Sequence, residues 1–233
     1  MAVLRQSPVA NGARGIAPRW THSAKDVIGT AYSTASRVWF TVSDGVLSEV
    51  YYSTLDSPQI RDVQFLVTDG ETFFHDTHRH MKTSIEYLGE HGLGVRIVNV
   101  DPDGRYQLRV EVISDPHQPC VLIDTHLDSD AAWLSKLHLY ILVAPHLGIG
   151  GWGNNGNVAQ IAGREFLTAH KNGTWLALAA STPFVHRSCG YVGSTDGWQD
   201  LASHFRLTNE FAAAPDGRSG LISLVFDLLT SDQ

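Results

Sequence analysis

Apolar and polar residues alternate with a period of two through much of the chain. In residues 105–112 every second residue, beginning at Tyr106, is apolar, and the residues between are charged or amide-bearing. Such alternation predicts a β-strand with one buried face. Residues 95–100 form a second apolar run, and the Pro/Asp/Gly sequence at 101–104 separates the two. The pair therefore predicts a hairpin.

Similar short runs recur along the chain, and several are bounded by an Asx-Gly pair. Glycine adopts positive φ at little steric cost, so these pairs predict tight turns. Many short strands separated by such turns favour an all-β antiparallel sandwich or barrel. The runs are residues 37–42, 63–67, 120–125, 137–144, 175–180 and 221–226, and the turns lie at 43–45, 68–70, 171–173 and 215–217.

Two segments depart from simple alternation. Residues 137–144 are apolar on both faces, which predicts a central strand covered on both sides. Residues 197–204 form the clearest helical segment, with Thr195 or Asp196 as the N-cap. We therefore predict at most one or two short helices. A polar arm over residues 1–14 would precede a single β-sandwich domain over residues 15–233.

Composition narrows the possible partners. A chain of 233 residues with 43% hydrophobic content can bury a sizeable core. The net charge is −7 and basic residues form no run, which argues against nucleic acid. No apolar stretch approaches the roughly 20 residues of a membrane span, and the N-terminus lacks an apolar leader. The sequence as written predicts a cytoplasmic protein, or a secreted or periplasmic one if a leader has been removed.

The two cysteines, Cys120 and Cys189, lie far apart and match no metal-ligand spacing. Two buried thiols and a disulfide both remain open from the sequence. No cofactor motif is present, so we predict no cofactor.

Six segments form an ordered set between residues 15 and 201. They are residues 15–26, 36–41, 45–52, 61–70, 144–148 and 187–201. In this order they resemble the N-terminal domain of prokaryotic glucoamylases and glucodextranases, the enzymes of glycoside hydrolase family fifteen. Ser48 and Ser53 stand where that family more often has Asn and Pro, which leaves the local loop detail open.

The resemblance implies a large antiparallel sandwich of the galactose-mutarotase-like supersandwich type. In that family the sandwich precedes an (α/α)6 barrel, and the barrel carries both catalytic glutamates of an inverting hydrolase. The expected partner is therefore the downstream catalytic barrel, and no catalytic residue is expected within this chain. The parent enzyme would be an exo-acting α-glucan hydrolase, with α-1,4 links, α-1,6 links and trehalose all open as substrates.

Two groups of residues are candidates for contact with the barrel or with a sugar. Carboxylates beside aromatic rings can bind hydroxyl groups and stack on pyranose rings. The alternative is structural: Asp196 caps a helix that Trp198 anchors, and Arg61 and Asp62 form an ion pair. The candidates are Asp196, Trp198, Asp200 and Tyr191 in one segment, and Glu49, Tyr51, Tyr52, Arg61 and Asp62 in the other.

One segment resembles a metal site and another a phosphate loop. On an extended strand Asp76, His78 and His80 would share one face, but a solvated edge strand is the commoner use of such residues. The glycine-rich residues 148–156 lack the Gly-Lys-Ser/Thr ending of a phosphate loop. They predict a flexible loop that faces the barrel.

Three functions follow as hypotheses. The first is a non-catalytic domain that supports the barrel. The second is a carbohydrate-binding module that contacts α-glucan oligosaccharides through exposed Trp and Tyr. The third is a mutarotase-like epimerase, which would need an apposed His/Glu pair in a concave pocket.

Overall fold

The computed structural model describes residues 9–11, 16–21, 23–91, 93–215 and 222–228. Of the predicted arm over residues 1–14, only residues 9–11 fall within these ranges. Val9 forms a parallel bridge with Ala213, and the Ala10 amide donates to the Ala213 carbonyl at 2.8 Å. Residues 9 and 10 are thus attached to the domain. The predicted turn at 215–217 lies largely outside the described residues.

Sixteen strands are described, and all pairings between them are antiparallel. They are β1 (Val27–Thr30), β2 (Val38–Ser43), β3 (Val46–Tyr52), β4 (Pro58–Thr68), β5 (Phe74–Asp76), β6 (Lys82–Leu88), β7 (Gly94–Val100), β8 (Tyr106–Ser114), β9 (Val121–Ser129), β10 (His138–Pro145), β11 (Asn155–Ile161), β12 (Arg164–Lys171), β13 (Thr174–Leu178), β14 (Phe184–Tyr191), β15 (Ala213–Ala214) and β16 (Ile222–Leu228).

The strands form one large sheet and two small ones. The large sheet has the order β1-β2-β3-β4-β10-β16-β14, with β5 paired to β4. The small sheets have the orders β6-β7-β8-β9 and β13-β12-β11-β15. One small sheet lies over β1 and β2, and the other over β14 and β16. The predicted all-β antiparallel sandwich is confirmed.

The main core lies between the large sheet and the small sheets. It contains Phe65 and Ile141 from the large sheet, Ile97 and Val110 from one small sheet, and Leu167 from the other. All five side chains are buried, as the period-two alternation of their strands requires. The sheets are therefore held together by one continuous apolar layer.

Strand β10 occupies the centre of the large sheet, between β4 and β16. Ile141 faces the main core, whereas Tyr140 and Leu142 face a second apolar cluster that includes Leu201 and Val225. Both faces of the strand are thus covered. This is the arrangement predicted for residues 137–144, and it explains why that run lacks alternation.

Three short helices are described: α1 (Thr77–His80), α2 (Ala131–Leu134) and α3 (Gly197–His204). Helix α3 has the predicted bounds, and Asp196 is its N-cap. The count exceeds the predicted one or two because α1 and α2 are single turns, too short to show apolar periodicity. Within the described part of the chain, no helix has the length and apolar character needed to cross a membrane.

Both cysteines are free thiols in the structure. Cys120 is exposed beside the start of β9, whereas Cys189 is buried in β14, where burial raises the pKa of its thiol to about 12. The sequence left open either two buried thiols or a disulfide. The structure shows two thiols without a disulfide, and only Cys189 is buried.

Candidate functional site

Segments that carry the family resemblance meet at one end of β3, β4 and β10. Glu49 lies near the end of β3, Arg61 near the start of β4, and His146 directly follows β10. The N-terminal segment brings Trp20 and Lys25 to the same place. Residues distant in sequence thus form one polar cluster, which we call the motif cluster.

Glu49 ties the N-terminal segment to the large sheet. It accepts from Thr21 Oγ1 at 3.3 Å and lies 3.3 Å from Lys25 Nζ. The Tyr51 hydroxyl donates to the other carboxylate oxygen at 2.5 Å. Burial, with the neighbouring Glu49 carboxylate, raises the pKa of Tyr51 to about 12. The carboxylate is therefore fully engaged within the domain.

Arg61 and Asp62 form the ion pair that the structural interpretation of the sequence proposes. Arg61 Nε donates to Asp62 Oδ2 at 2.7 Å, and both side chains are largely buried. They sit where the pairing with β10 shifts register, between Ile60 opposite Pro145 and Asp62 opposite Ala144. The other oxygen, Asp62 Oδ1, has no hydrogen-bond partner among the described protein atoms.

His146 is the most unusual member of the motif cluster. Its side chain is buried, with 1% exposed, and the Trp20 ring meets it edge-on at a centroid distance of 4.5 Å. Neither ring nitrogen has a hydrogen-bond partner in the described structure. Burial, together with the nearby Arg61 and Lys171 cations, lowers the pKa of His146 to about 3. It is thus a neutral ring and a weak base at neutral pH.

The glycine-rich loop that follows His146 makes hydrogen bonds within the domain. The Leu147 amide donates to Asn154 Oδ1 at 3.0 Å, and the Gly150 carbonyl accepts from both Asn154 Nδ2 and Lys171 Nζ. These bonds tie the loop to β12 and to its own backbone, and the flexibility predicted from its glycines stays a prediction. Whether the loop faces the barrel stays a prediction.

The tip of this loop presents two large apolar side chains to solvent. Ile149 is 54% exposed and Trp152 is 49% exposed. Ile149 also has a φ of 62°, a left-handed conformation that is rare for a β-branched residue. Backbone strain and apolar exposure in one loop are both costly to the isolated domain. We call residues 149–152 the loop tip.

The segment around α3 is used inside the domain. Asp196 accepts from the Gln199 amide at 3.0 Å and from the Gly193 amide, and burial raises the pKa of its carboxyl group. The Tyr191 hydroxyl donates to the Pro215 carbonyl at 2.6 Å. The Asp196 contacts cap α3 and hold the turn before it, and the Tyr191 contact joins the end of β14 to the residue after β15.

Asp200 and its partners close the other end of α3. The carboxylate accepts from the Thr208 and Asn209 amides at 2.7 and 2.8 Å, and from the Thr208 hydroxyl at 2.6 Å. Burial opposes ionisation, but these hydrogen bonds hold the pKa of Asp200 below its usual range. Asp200 therefore serves to fasten the chain that follows α3.

Trp198 packs against α1. Its indole Nε1 donates to Asp76 Oδ2 at 3.0 Å, its ring meets Phe74 edge-on, and the Arg79 guanidinium lies 4.8 Å from the ring centroid. The ring is therefore partly buried within its own domain, and these contacts agree with the structural alternative in which Trp198 anchors α3.

The extended geometry predicted for the weak metal candidates is wrong. Residues 77–80 form α1, and Asp76 is its N-cap, accepting from the Arg79 amide at 2.7 Å. His78 is exposed on this turn, and His80 Nδ1 accepts from the Asp76 amide. The Asp76 carboxylate is already bound by Arg79 and Trp198. Among the described residues, no group of three suitable side chains surrounds a possible metal position.

Tyr52 is the candidate aromatic residue with substantial exposure, at 40%. It lines a groove of about 1130 Å³ between the two small sheets. The carboxylates that line this groove are Glu111 and Asp124, which lie opposite each other on β8 and β9. Arg96 Nε donates to Glu111 at 2.8 Å, so this carboxylate is bound by a side chain of the domain itself.

One His/Glu pair is close enough for proton transfer, but it lies outside the groove. His186 Nδ1 is 2.7 Å from Glu210 Oε1, and Arg187 Nη1 donates to the other oxygen at 2.5 Å. Neither His186 nor Glu210 lines the groove. The epimerase hypothesis required the pair in a concave pocket, so this geometry does not favour it.

Trp20 and His146 lie within two of the segments that carry the resemblance, 15–26 and 144–148, but nothing in the sequence marks them as site residues. The same holds for Lys25 in the first segment, whereas Lys171 lies in a predicted turn outside these segments. A lone His in an apolar segment carries no signal of its partners, because its burial depends on a segment more than 120 positions earlier in the chain. The resemblance itself was the signal that could have found them.

The fold defines an antiparallel β-sandwich domain with one large and two small sheets, and the motif cluster joins its N-terminal segment to the large sheet. Residues 10–230 match the family described as glucodextranase, domain N, and the chain belongs to that family. The glucoamylase of Clostridium sp. (strain G0005) is 29% identical over 195 residues, which are 84% of this chain and 28% of that protein. A bacterial glucoamylase crystallised with acarbose is 26% identical, with a TM-score of 0.90 over 96% of this chain and 32% of that one. The chain thus spans about a third, or less, of these relatives.

Proposed function

We propose that this chain is a non-catalytic N-terminal domain that supports the catalytic barrel of an exo-acting, inverting α-glucan hydrolase. The observation that carries the proposal is the small share of each related glucoamylase that this chain covers. The matched region is 28% of the Clostridium glucoamylase and 32% of the crystallised glucoamylase, so most of each enzyme lies elsewhere.

The chemistry of the motif cluster agrees with a supporting function. An inverting hydrolase needs one protonated and one ionised carboxyl group on opposite sides of the bond that is cleaved. Glu49 is bound by Lys25 and Tyr51, and Asp62 is bound by Arg61. Each carboxylate is therefore bound by a side chain of the domain itself. Their contacts instead join the N-terminal segment to β3 and β4.

The loop tip is the surface that we infer to meet the barrel. Ile149 and Trp152 offer apolar area that a protein interface would remove from water. The motif cluster beneath supports the loop, because Lys171 and Asn154 hold Gly150 and the buried His146 underlies the loop. Contact with the barrel would offset the cost of exposing this tip.

Trp152→Ala in the full-length polypeptide tests this function. Glucan hydrolysis should be lost faster on heating, while kcat/KM at low temperature stays within about twofold. The same substitution in the isolated chain should change the free energy of unfolding by less than about 0.5 kcal/mol, since the side chain is half exposed.

Tyr87→Ala is the matched control, because Tyr87 is 52% exposed and lies on β6. It should leave the inactivation rate unchanged. Equal inactivation rates for the Trp152 variant and the unmodified enzyme would contradict docking through the loop tip.

A further inference from the structure

The groove between the small sheets is bounded by two strand edges. Among the described strands, β9 pairs only with β8, and β13 pairs only with β12. Both line the same groove, whose floor is formed by the central strands of the large sheet through residues such as Val63 and Ile141. The two four-stranded sheets thus face each other edge to edge across an apolar floor.

The backbone edges and side chains that line the groove indicate which kind of molecule could bind there. A strand edge presents a row of backbone N–H and C=O groups without strand partners. Ile123 on β9 and Leu176 on β13 contribute apolar side chains to the lining. An acyl chain would match the floor but leave both rows of backbone groups without partners. An extended peptide offers donors and acceptors on both edges and side chains for the floor.

We propose that this groove binds an extended peptide strand, which pairs with β9 on one side and β13 on the other. Its insertion would join the two small sheets into a nine-stranded sheet opposite the eight-stranded one. The five residues of β13 span about 16 Å at about 3.3 Å per residue, which sets the paired length at five to seven residues.

Charge defines the partner further. Glu111, one of the two carboxylates that line the groove, is ion-paired with Arg96. The described lining contains no Lys or Arg, so the exposed Asp124 carboxylate supplies the negative charge of the rim. His126 Nε2, on the same rim, lies 2.8 Å from Asp128 Oδ1. The occupant is therefore a segment of another polypeptide with apolar residues at every second position and Lys or Arg between them. A second copy of this chain, with a net charge of −7, is disfavoured by repulsion.

The test uses a fluorescent seven-residue peptide that alternates Lys and Val, titrated into this chain and followed by anisotropy. We expect saturable binding with a Kd below about 1 mM. Amide hydrogen exchange should slow in both β9 and β13 when the peptide is bound. Failure to bind, or protection confined to other strands, would overturn the proposal.

Peptide and protein variants separate strand pairing from charge attraction. Methylating the amide nitrogens of the three Val residues removes the donors along one edge, and affinity should fall at least about tenfold. Asp124→Asn should weaken binding about two- to fivefold, whereas Asp103→Asn, an equal charge change in the β7–β8 turn, should have less than about a twofold effect. Equal affinity for the methylated peptide, or equal effects of the two substitutions, would contradict strand insertion.

The alkylation rate of the Cys120 thiol provides an independent test, because Cys120 lines the groove and is exposed. Bound peptide should slow alkylation of the Cys120 thiol, with Cys189 remaining unreactive in its buried position. An unchanged alkylation rate at saturating peptide would place the peptide outside the groove.

Discussion

At the scale of single residues, the motif cluster contains polar groups that the domain does not fully satisfy. Both ring nitrogens of His146 and one oxygen of Asp62 lack hydrogen-bond partners among the described protein atoms. A buried polar group without a partner costs about 1–3 kcal/mol. His146 avoids the larger cost of a buried charge by remaining neutral, since its pKa is lowered to about 3.

This depressed pKa makes stability depend on pH. The unfolded chain takes up the proton near the ordinary histidine pKa of about 6.5, before the folded chain does. The contribution of His146 is therefore complete above about pH 6.5 and is lost as the pH falls towards 3. Between about pH 7.5 and pH 5, the free energy of unfolding should fall less for the His146→Phe variant than for the unmodified chain. Urea unfolding at each pH measures this difference.

The exposed His78 supplies the control for this measurement. His78→Gln should keep the pH dependence of the unmodified chain. Other groups that titrate in this range, including His75, are present in all three proteins, so the difference isolates His146. If the free energy of unfolding depends on pH equally in the His146→Phe variant and the unmodified chain, the histidine does not titrate as a buried ring.

At the scale of elements, α3 is seated by close contact with β14 and β16. A Cβ atom on Gly190 would lie 2.1 Å from the Thr195 carbonyl oxygen, and one on Gly197 would lie 2.3 Å from Val225 Cγ1. Glycine is needed at both positions because neighbouring atoms already occupy the space that a side chain would fill. Asp196 then caps the helix at this junction.

Gly190→Ala should therefore destabilise the domain strongly. The added methyl group meets backbone atoms that cannot rotate away, so we expect a loss of about 1–3 kcal/mol or more in the free energy of unfolding. Gly150→Ala is the matched control, because its Cβ would lie 3.5 Å from Lys171 Nζ, an ordinary contact. Equal losses in the free energy of unfolding for the two variants, measured by urea unfolding, would show that the close contact at Gly190 does not hold α3 in place.

The elements that could be predicted from the sequence are those with local causes. Residues 197–204 follow a capping Asp, and β10 is apolar on both faces, so both were predictable. The segment at 75–80 was not, because its helical turn depends on contacts of Asp76 that include Trp198, 122 positions away. Alternation identified strands, but it could not show that β9 and β13 line a common groove.

At the scale of the whole molecule, the architecture followed from the sequence more readily than the site did. Short alternating runs and Asx-Gly turns predicted the sandwich, and the order of the motifs predicted the family. The motif cluster needed coordinates, because Trp20, Glu49, Arg61 and His146 come from four separate segments. Their convergence at one end of the large sheet links the family resemblance to a physical surface and supports the proposed contact with a catalytic barrel.

Glucose release by this chain alone would show whether the sandwich contains a catalytic site. Purified chain is incubated with maltose, maltooligosaccharides or dextran beside an equimolar amount of the full-length polypeptide, and free glucose is measured over time. We expect glucose from the full-length polypeptide and none above buffer from the chain, since the candidate carboxylates of the chain are ion-paired or cap a helix. Release by the chain within about tenfold of the full-length rate would contradict the account, because such a rate requires a catalytic site inside the sandwich.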